Sequence, residues 1–254
     1  MTTVISVHSF RGGTGKSNTS SNLAGQLASA GNRVAVVDTD IQSPGIHVLF
    51  GFSDDLDNTL NDYLWGKIPI SQAAHEVTDR VSMSTPVADG GALYLVPSSM
   101  KSGDIARVLR EGYDVGTLNE GFRELARELQ LDYLIIDTHP GLNEETLLSI
   151  TISDVLLLLM RPDRQDFQGT AVTVDVARKL GVPALFLIVN KVPSNIDADD
   201  LREQMNQVYG ADVAAILPLA EEVVQNASEG LFSLTSPDHP WSAQIREAAS
   251  RVSQ

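Results

Sequence analysis

The sequence contains no cysteine. It therefore has no disulfide, no thiolate nucleophile, no cysteine-ligated iron–sulfur cluster and no cysteine-based zinc site. Long hydrophobic runs are also missing, because the longest, residues 155–160, is far shorter than the roughly 20 residues that span a bilayer. No basic and apolar leader precedes the strand-like sequence that begins at Thr3. We therefore expect no secretory signal and a cytoplasmic location.

Positive charge is scarce, since 18 Lys and Arg residues stand against 33 Asp and Glu residues, for a formal net charge of -15. Non-specific affinity for nucleic acid comes mainly from Lys and Arg side chains that neutralise phosphates. The best candidate patch, Arg123 and Arg127, is interleaved with Glu120, Glu124 and Glu128. That helical spacing is more typical of solvated ion pairs than of a basic patch. Nucleic acid is therefore a possible but disfavoured partner.

Seven short apolar runs recur along the chain, at 4–7, 34–37, 92–96, 133–136, 155–160, 184–189 and 213–217. Each run is nearly continuous, which is typical of strands buried on both faces of a mostly parallel sheet. Helical periodicity over 118–129 and 174–180 fills two of the gaps. We predict an α/β fold with a doubly wound, mostly parallel sheet flanked by helices. No linker rich in Pro, Gly or Ser divides the chain, so we expect one domain over 1–254.

Two stretches are less regular. Residues 51–90 contain Asp-rich and Ser-rich turns around short helical patterns at 60–65 and 70–75. The segment 241–252 is amphipathic, but it lacks the excess of Lys and Arg that a membrane-surface helix pairs with its apolar face. We expect this segment to pack on its own domain, which leaves autonomous membrane binding possible but disfavoured.

The segment Ser9-Phe10-Arg11-Gly12-Gly13-Thr14-Gly15-Lys16-Ser17 lies between the first apolar run and a helical pattern over 18–30. A Gly-rich turn before a helix directs backbone N–H groups inward and is suited to hold phosphate. Lys16 would then reach the β- and γ-phosphates, and the Ser17 hydroxyl would bind Mg²⁺. The common pattern G-x-x-x-x-G-K-[ST] is not met, because Phe10 stands at its first glycine. The alternative is a turn that only joins a strand to a helix.

Acidic residues follow two other predicted strands. Asp38 and Asp40 follow the run at 34–37, and Asp137 follows the run at 133–136. The carboxyl ends of parallel strands meet at one edge of the sheet, so we expect three carboxylates beside the phosphate loop. Magnesium is usually held by one or two carboxylates together with phosphate oxygens. For Asp38 and Asp40 the alternative is a simple turn after a strand, where Asp is common.

The glycine pair with a cation before it resembles the deviant Walker A motif of the ParA/MinD family of dimerising P-loop ATPases, which reads Lys-Gly-Gly-x-Gly-Lys-[Ser/Thr]. Arg11 stands where that family has its first lysine. The segments 38–40 and 137–141 resemble the family's two switch regions. The resemblance implies ATP and Mg²⁺ as cofactors. The nucleotide-binding residues that it implies are Gly12, Gly13, Thr14, Gly15, Lys16, Ser17, Asn18, Gly141, Asn190 and Pro218.

The same resemblance implies roles in catalysis. Ser17, Asp38 and Asp137 would form the metal site. Asp40 would orient the attacking water, and Lys16 would act on the phosphates.

The resemblance also implies contacts at the base and at a subunit interface. Asn190 and Pro218 would contact adenine, the alternative being a strand-ending Asn and a turn Pro. Arg11 would reach across a two-fold interface to the nucleotide of the other subunit, where its guanidinium can still donate to phosphate. Lys101 is a weaker candidate for that interface, and otherwise a solvated lysine.

These features predict an ATP-dependent dimerising switch that positions or partitions a cellular cargo. It would form a homodimer in the ATP state and hydrolyse ATP slowly until a protein activator or cargo adaptor stimulates it. One alternative is an ATP-dependent ligase or synthetase of the same fold, in which the γ-phosphate goes to a carboxylate. Another is a nucleotide-sensing adaptor with negligible turnover.

Overall fold

In a computed structural model, which describes residues 1–82, 85–226 and 228–253, one eight-stranded sheet is flanked by helices. The strands are β1 Thr3–His8, β2 Arg33–Asp38, β3 His75–Glu76, β4 Ala92–Val96, β5 Tyr133–Asp137, β6 Val155–Met160, β7 Ala184–Val192 and β8 Asp212–Pro218. The helices are α1 Lys16–Ser29, α2 Leu60–Leu64, α3 Ile70–Ala73, α4 Thr78–Ser82, α5 Ser102–Glu111, α6 Val115–Glu128, α7 Glu144–Thr151, α8 Arg164–Leu180, α9 Ala198–Tyr209, α10 Glu221–Gln225, α11 Phe232–Thr235 and α12 Pro240–Val252. A 3₁₀ helix spans Ile46–Phe50.

The strand order is β3-β4-β2-β5-β1-β6-β7-β8, and every neighbouring pair except β3 and β4 is parallel. The predicted doubly wound α/β fold is therefore confirmed, and each of the seven apolar runs lies in a strand. The prediction of a helical piece over 70–75 is wrong at its end, because α3 stops at Ala73 and His75 pairs with Leu95 in the antiparallel strand β3. A two-residue strand is too short to show the alternation by which strands are recognised.

Helix α12 carries the amphipathic pattern of the C-terminal segment. Its apolar side chains, Trp241, Ile245, Ala248 and Val252, are buried in the same core cluster as apolar residues of α1. Burial of this face removes apolar area from water and holds the helix on the sheet. Among the described residues, no helix combines the length and the apolar character that crossing a membrane requires.

Strand order positions the candidate site residues. Strand β5 lies between β1 and β2, so that Asp137 is in register with Val7 on one side and with Asp38 on the other. All three strands run in the same direction, and their carboxyl ends share one edge of the sheet. The loop after β1 therefore lies beside the segments that follow β2 and β5.

Candidate nucleotide-binding site

The loop from Ser9 to Gly15 joins β1 to α1. Gly13 and Gly15 have φ angles of +76° and +97°, a left-handed region that residues with a Cβ rarely adopt. The loop is fixed from outside by the Asn190 side-chain amide, which donates to the Thr14 carbonyl at 2.7 Å, and by the Gly141 N–H, which donates to the Ser9 carbonyl at 3.1 Å. It therefore leads into the N-terminus of α1 in a defined shape, where backbone N–H groups favour anions.

Lys16 begins α1 and is only 8% exposed. Burial lowers the pKa of its ammonium, while Asp137, Asp40 and Asp38 act in the opposite direction. The three carboxylates favour the charged form of the ammonium, and burial leaves its positive charge poorly screened by water. The structure thus brings together the phosphate-loop lysine and the three strand-end acids.

Asp137 is buried at the end of β5 and accepts a hydrogen bond of 2.9 Å from the Ser20 hydroxyl. Burial raises the pKa of its carboxyl to about 6, although the Ser17 hydroxyl and the Lys16 ammonium oppose the shift. A buried carboxyl with a raised pKa is stabilised as an anion when a divalent cation arrives. The oxygen donors Ser17 and Asp137 therefore fit Mg²⁺, which prefers oxygen ligands.

Asp38 is engaged by the loop that follows it. Its Oδ1 accepts the N–H of Asp40 at 3.0 Å, and its Oδ2 accepts the N–H of Gly45 at 3.3 Å. Burial, with Asp137 and Asp40 nearby, raises the pKa of the Asp38 carboxyl well above its usual range. Asp38 thus shapes the segment that carries Asp40, and its role at the metal stays a prediction.

The three aspartates do not form a ready-made metal cage. Within the ranges that the structure describes, no three His, Cys, Asp or Glu side chains are grouped closely enough to hold a metal ion by themselves. Magnesium binding at this edge would therefore draw on phosphate and water oxygens, as is usual for Mg²⁺ with nucleotides.

A cavity of about 290 Å³ opens beside the phosphate loop. Its walls include Asn18, Asn190, Pro218 and Trp241. The predicted base contacts, Asn190 and Pro218, thus lie in one pocket that also reaches Gly15. A Cβ on Gly15 would stand 2.4 Å from the Asn190 side-chain nitrogen, so only glycine allows this approach. A cavity of this kind, mostly apolar with a few amides, suits a flat base.

Two residues of the site carry no motif in the sequence. Trp241 reaches this cavity from α12, although its helical spacing indicates only a core residue. His139 lies in the segment between β5 and α7, and its Nδ1 is 2.6 Å from Asp40 Oδ1. The only available signal for His139 was a polar side chain within the Asp137–Gly141 stretch.

The side chains of the predicted interface residues, Arg11 and Lys101, contact other parts of the chain. The Arg11 side chain is 42% exposed, donates to the Gln165 side-chain oxygen and lies 4.0 Å from Asp166. Lys101 pairs with Asp57 at 3.0 Å and with Asp55 at 3.7 Å. Both cations thus have acidic or polar partners within their own chain.

Known proteins provide an independent comparison. The family model described as the CobQ/CobB/MinD/ParA nucleotide binding domain matches residues 5–234. An ATP-binding protein of Methanocaldococcus jannaschii is 28% identical over 253 residues, which covers 99% of this chain and 88% of that protein. An iron–sulfur cluster carrier protein of Pseudomonas fragi is 25% identical over 261 residues, which covers 97% of this chain and 83% of that protein.

The fold is also shared with solved structures. The septum site-determining protein MinD of Pyrococcus horikoshii, complexed with Mg-ADP, superposes with a TM-score of 0.82 at 22% identity. The alignment covers 100% of this chain and 97% of that one. At this identity the superposition shows a common fold.

Proposed function

Because the chain belongs to the CobQ/CobB/MinD/ParA nucleotide-binding family, we propose that it is an ATP-dependent dimerising switch. It binds ATP with Mg²⁺, pairs with a second copy in the ATP state, and positions or partitions a cellular cargo through a protein adaptor. Hydrolysis of ATP to ADP and phosphate returns it to the monomer. The observation that supports this most directly is the buried Lys16 ammonium, which begins α1 after a Gly-rich loop and interacts with Asp137, Asp40 and Asp38.

Different residues of the site would have different roles in ATP hydrolysis. When bound, Mg²⁺ neutralises charge on the β- and γ-phosphate oxygens. Ser17 and Asp137 would hold the ion, because they offer oxygen donors at the base of the loop. The loop amides from Gly12 to Asn18 and the Lys16 ammonium would hold the phosphates. Asp40 would orient the water that attacks the γ-phosphate, and Gly141 would let the backbone of its segment approach that phosphate.

Base recognition is proposed for the cavity beside the loop. Asn190 is buried, and its side-chain oxygen accepts the N–H of Lys191 at 2.8 Å while its amide nitrogen donates to Thr14. The side chain therefore also fixes the loop, and the wall that Pro218 and Trp241 supply is apolar. Adenine is the base that the family resemblance favours.

We do not propose that this chain carries iron–sulfur clusters, although a relative is an iron–sulfur cluster carrier protein. Cluster ligation uses cysteine thiolates, and the sequence has no cysteine. What the relatives share with this chain under the proposal is the nucleotide switch.

The proposal is tested by measuring ATP hydrolysis and sedimentation together, with ADP and with a non-hydrolysable ATP analogue. We expect the mass to double with the analogue alone. The Lys16→Ala variant should bind ATP at least about 10-fold more weakly and stay monomeric, because charge-assisted contacts to phosphate are lost. The matched control is Lys67→Ala, a half-exposed lysine that pairs with Asp62.

The results of these measurements distinguish the switch from the two alternative functions. An unchanged mass in every nucleotide state would contradict the switch. Turnover that requires a small carboxylic acid would identify a ligase, and tight binding without turnover would identify a nucleotide-sensing adaptor.

A further inference from the structure

His139 links the two segments that flank the phosphate loop. Its Nδ1 lies 2.6 Å from Oδ1 of Asp40, although the two residues are 99 positions apart in sequence. Asp40 follows β2 and His139 follows β5. The contact therefore joins the ends of neighbouring strands directly at the proposed site of hydrolysis.

The backbone on both sides of His139 is anchored. Thr138 is buried, and both its N–H and its hydroxyl donate to the Val7 carbonyl, at 3.2 Å and 3.0 Å. On the other side, the Gly141 N–H donates to the Ser9 carbonyl at 3.1 Å. These bonds tie the segment to β1 and to the start of the phosphate loop, so the position of the imidazole is set by the same strand that positions Lys16.

The donor and acceptor of the contact follow from the chemistry of the two groups. A carboxylate can only accept hydrogen bonds, so His139 donates through Nδ1–H. Oδ1 of Asp40 also accepts the Ser43 N–H at 3.2 Å. Both bonds go to the same oxygen, and among the described residues no donor is bonded to Oδ2. The two bonds hold Oδ1 in place and leave Oδ2 without a bonded donor among the described residues.

We propose that His139 is a positioning residue for ATP hydrolysis, which holds Asp40 through Nδ1–H so that its free Oδ2 accepts a proton of the attacking water. The inference rests on the proposed ATPase function. A group that acts by orienting another lowers turnover when removed, because misplacement of a reacting partner costs rate. It leaves nucleotide binding largely unchanged, since the side-chain hydrogen bond of His139 among the described residues goes to Asp40 and not to the loop that holds the phosphates.

Three substitutions distinguish the two ring nitrogens. The Asn amide nitrogen occupies the place of Nδ1, whereas the Gln amide nitrogen reaches the place of Nε2. We expect His139→Ala and His139→Gln to lower kcat for ATP by roughly 10- to 100-fold with KM within about twofold. His139→Asn should recover a large part of kcat. His75→Ala, which removes an imidazole from the edge strand β3, is the control.

A double-variant cycle tests the coupling. In an Asp40→Ala background, His139→Ala should have no further effect on kcat, because the two residues act as a unit. The inference is overturned if His139→Ala keeps wild-type kcat, if Gln restores activity as well as Asn does, or if the loss persists in the Asp40→Ala background.

A readout without hydrolysis keeps the inference separate from the proposed function. Nitrogen-15 NMR of the imidazoles should show a protonated Nδ1 in His139 that shifts in the Asp40→Ala variant. If wild-type protein does not hydrolyse ATP, the proposed function fails and the positioning role with it, while this spectrum still decides whether the hydrogen bond exists. Hydrolysis without that Nδ1–H signal would overturn the inference alone.

Discussion

At the scale of single residues, His8 is an imidazole that the fold keeps neutral. It is fully buried at the end of β1, and its Nδ1 lies 2.7 Å from the Thr138 hydroxyl oxygen. That hydroxyl donates to the Val7 carbonyl, so it accepts from His8 Nδ1–H. Burial, with Lys16 and His139 as further causes, lowers the pKa of His8 from 6.5 to about 3.

A pH dependence of stability follows. In the unfolded chain the His8 imidazole is protonated below pH 6.5. In the folded chain it stays neutral down to about pH 3. The stabilising contribution is therefore present above pH 6.5 and is lost as the pH falls. Relative to His8→Asn, which keeps a donor for Thr138, the wild type should lose about 2 kcal/mol of unfolding free energy between pH 7.5 and pH 5. Urea unfolding of both proteins at the two pH values measures this change. The prediction is contradicted if the difference in unfolding free energy between wild type and His8→Asn is the same at both pH values.

At the scale of elements, the first turn of α8 holds Arg11. The helix is capped by Asp163, whose side chain accepts the N–H groups of Gln165 and Asp166. Asp166 is buried and receives the Arg161 guanidinium at 3.0 Å and the Arg161 N–H at 2.9 Å. This anchored turn then presents the Gln165 oxygen to Arg11. An arginine this exposed gains little from such a contact, so it can leave for a phosphate in another subunit.

The Arg11→Ala variant tests the cross-subunit role. ATP binding should stay within about threefold of wild type, because the loop amides and Lys16 remain. Dimer formation with a non-hydrolysable analogue and ATP hydrolysis should each fall at least about 10-fold, since a trans arginine stabilises charge on the γ-phosphate. Equilibrium titration, sedimentation and a phosphate-release assay measure the three quantities. Arg164→Ala, an exposed arginine at the start of α8, is the control, and a dimer of unchanged stability would refute the role.

Elements differ in how far the sequence predicts them. The seven buried strands were predictable because each is a nearly continuous apolar run, and α1 because it follows a Gly-rich turn. Strand β3 was not, since its two residues, which pair with β4, are too few to show the alternation of a strand. The contact between His139 and Asp40 was not predictable either, because it depends on strand order, which brings distant segments together.

At the scale of the whole molecule, the C-terminal helix packs against the helix that begins at the proposed nucleotide site. The apolar face of α12 lies in the core with Leu23 and Leu27 of α1, the helix that begins at Lys16. The same face carries Trp241, which is 3% exposed and lines the cavity beside the phosphate loop. Amphipathic spacing predicted burial of α12, but only the assembled fold shows that its first turn reaches the cavity beside the phosphate loop.

A substitution that disrupts the packing of α12 should therefore lower both the stability of the fold and the affinity for nucleotide. Ile245 is completely buried at the centre of the α12 contact, and Ile245→Ala should cost about 2 to 5 kcal/mol through lost burial and the cavity left behind. Nucleotide affinity should fall as well, because Trp241 loses its support. Urea unfolding and ATP titration measure the two effects, with Ser250→Ala, on the exposed face of the same helix, as the control. If Ile245→Ala unfolded at the same urea concentration as the control, α12 would be a loosely attached segment, and the cavity wall would need another support.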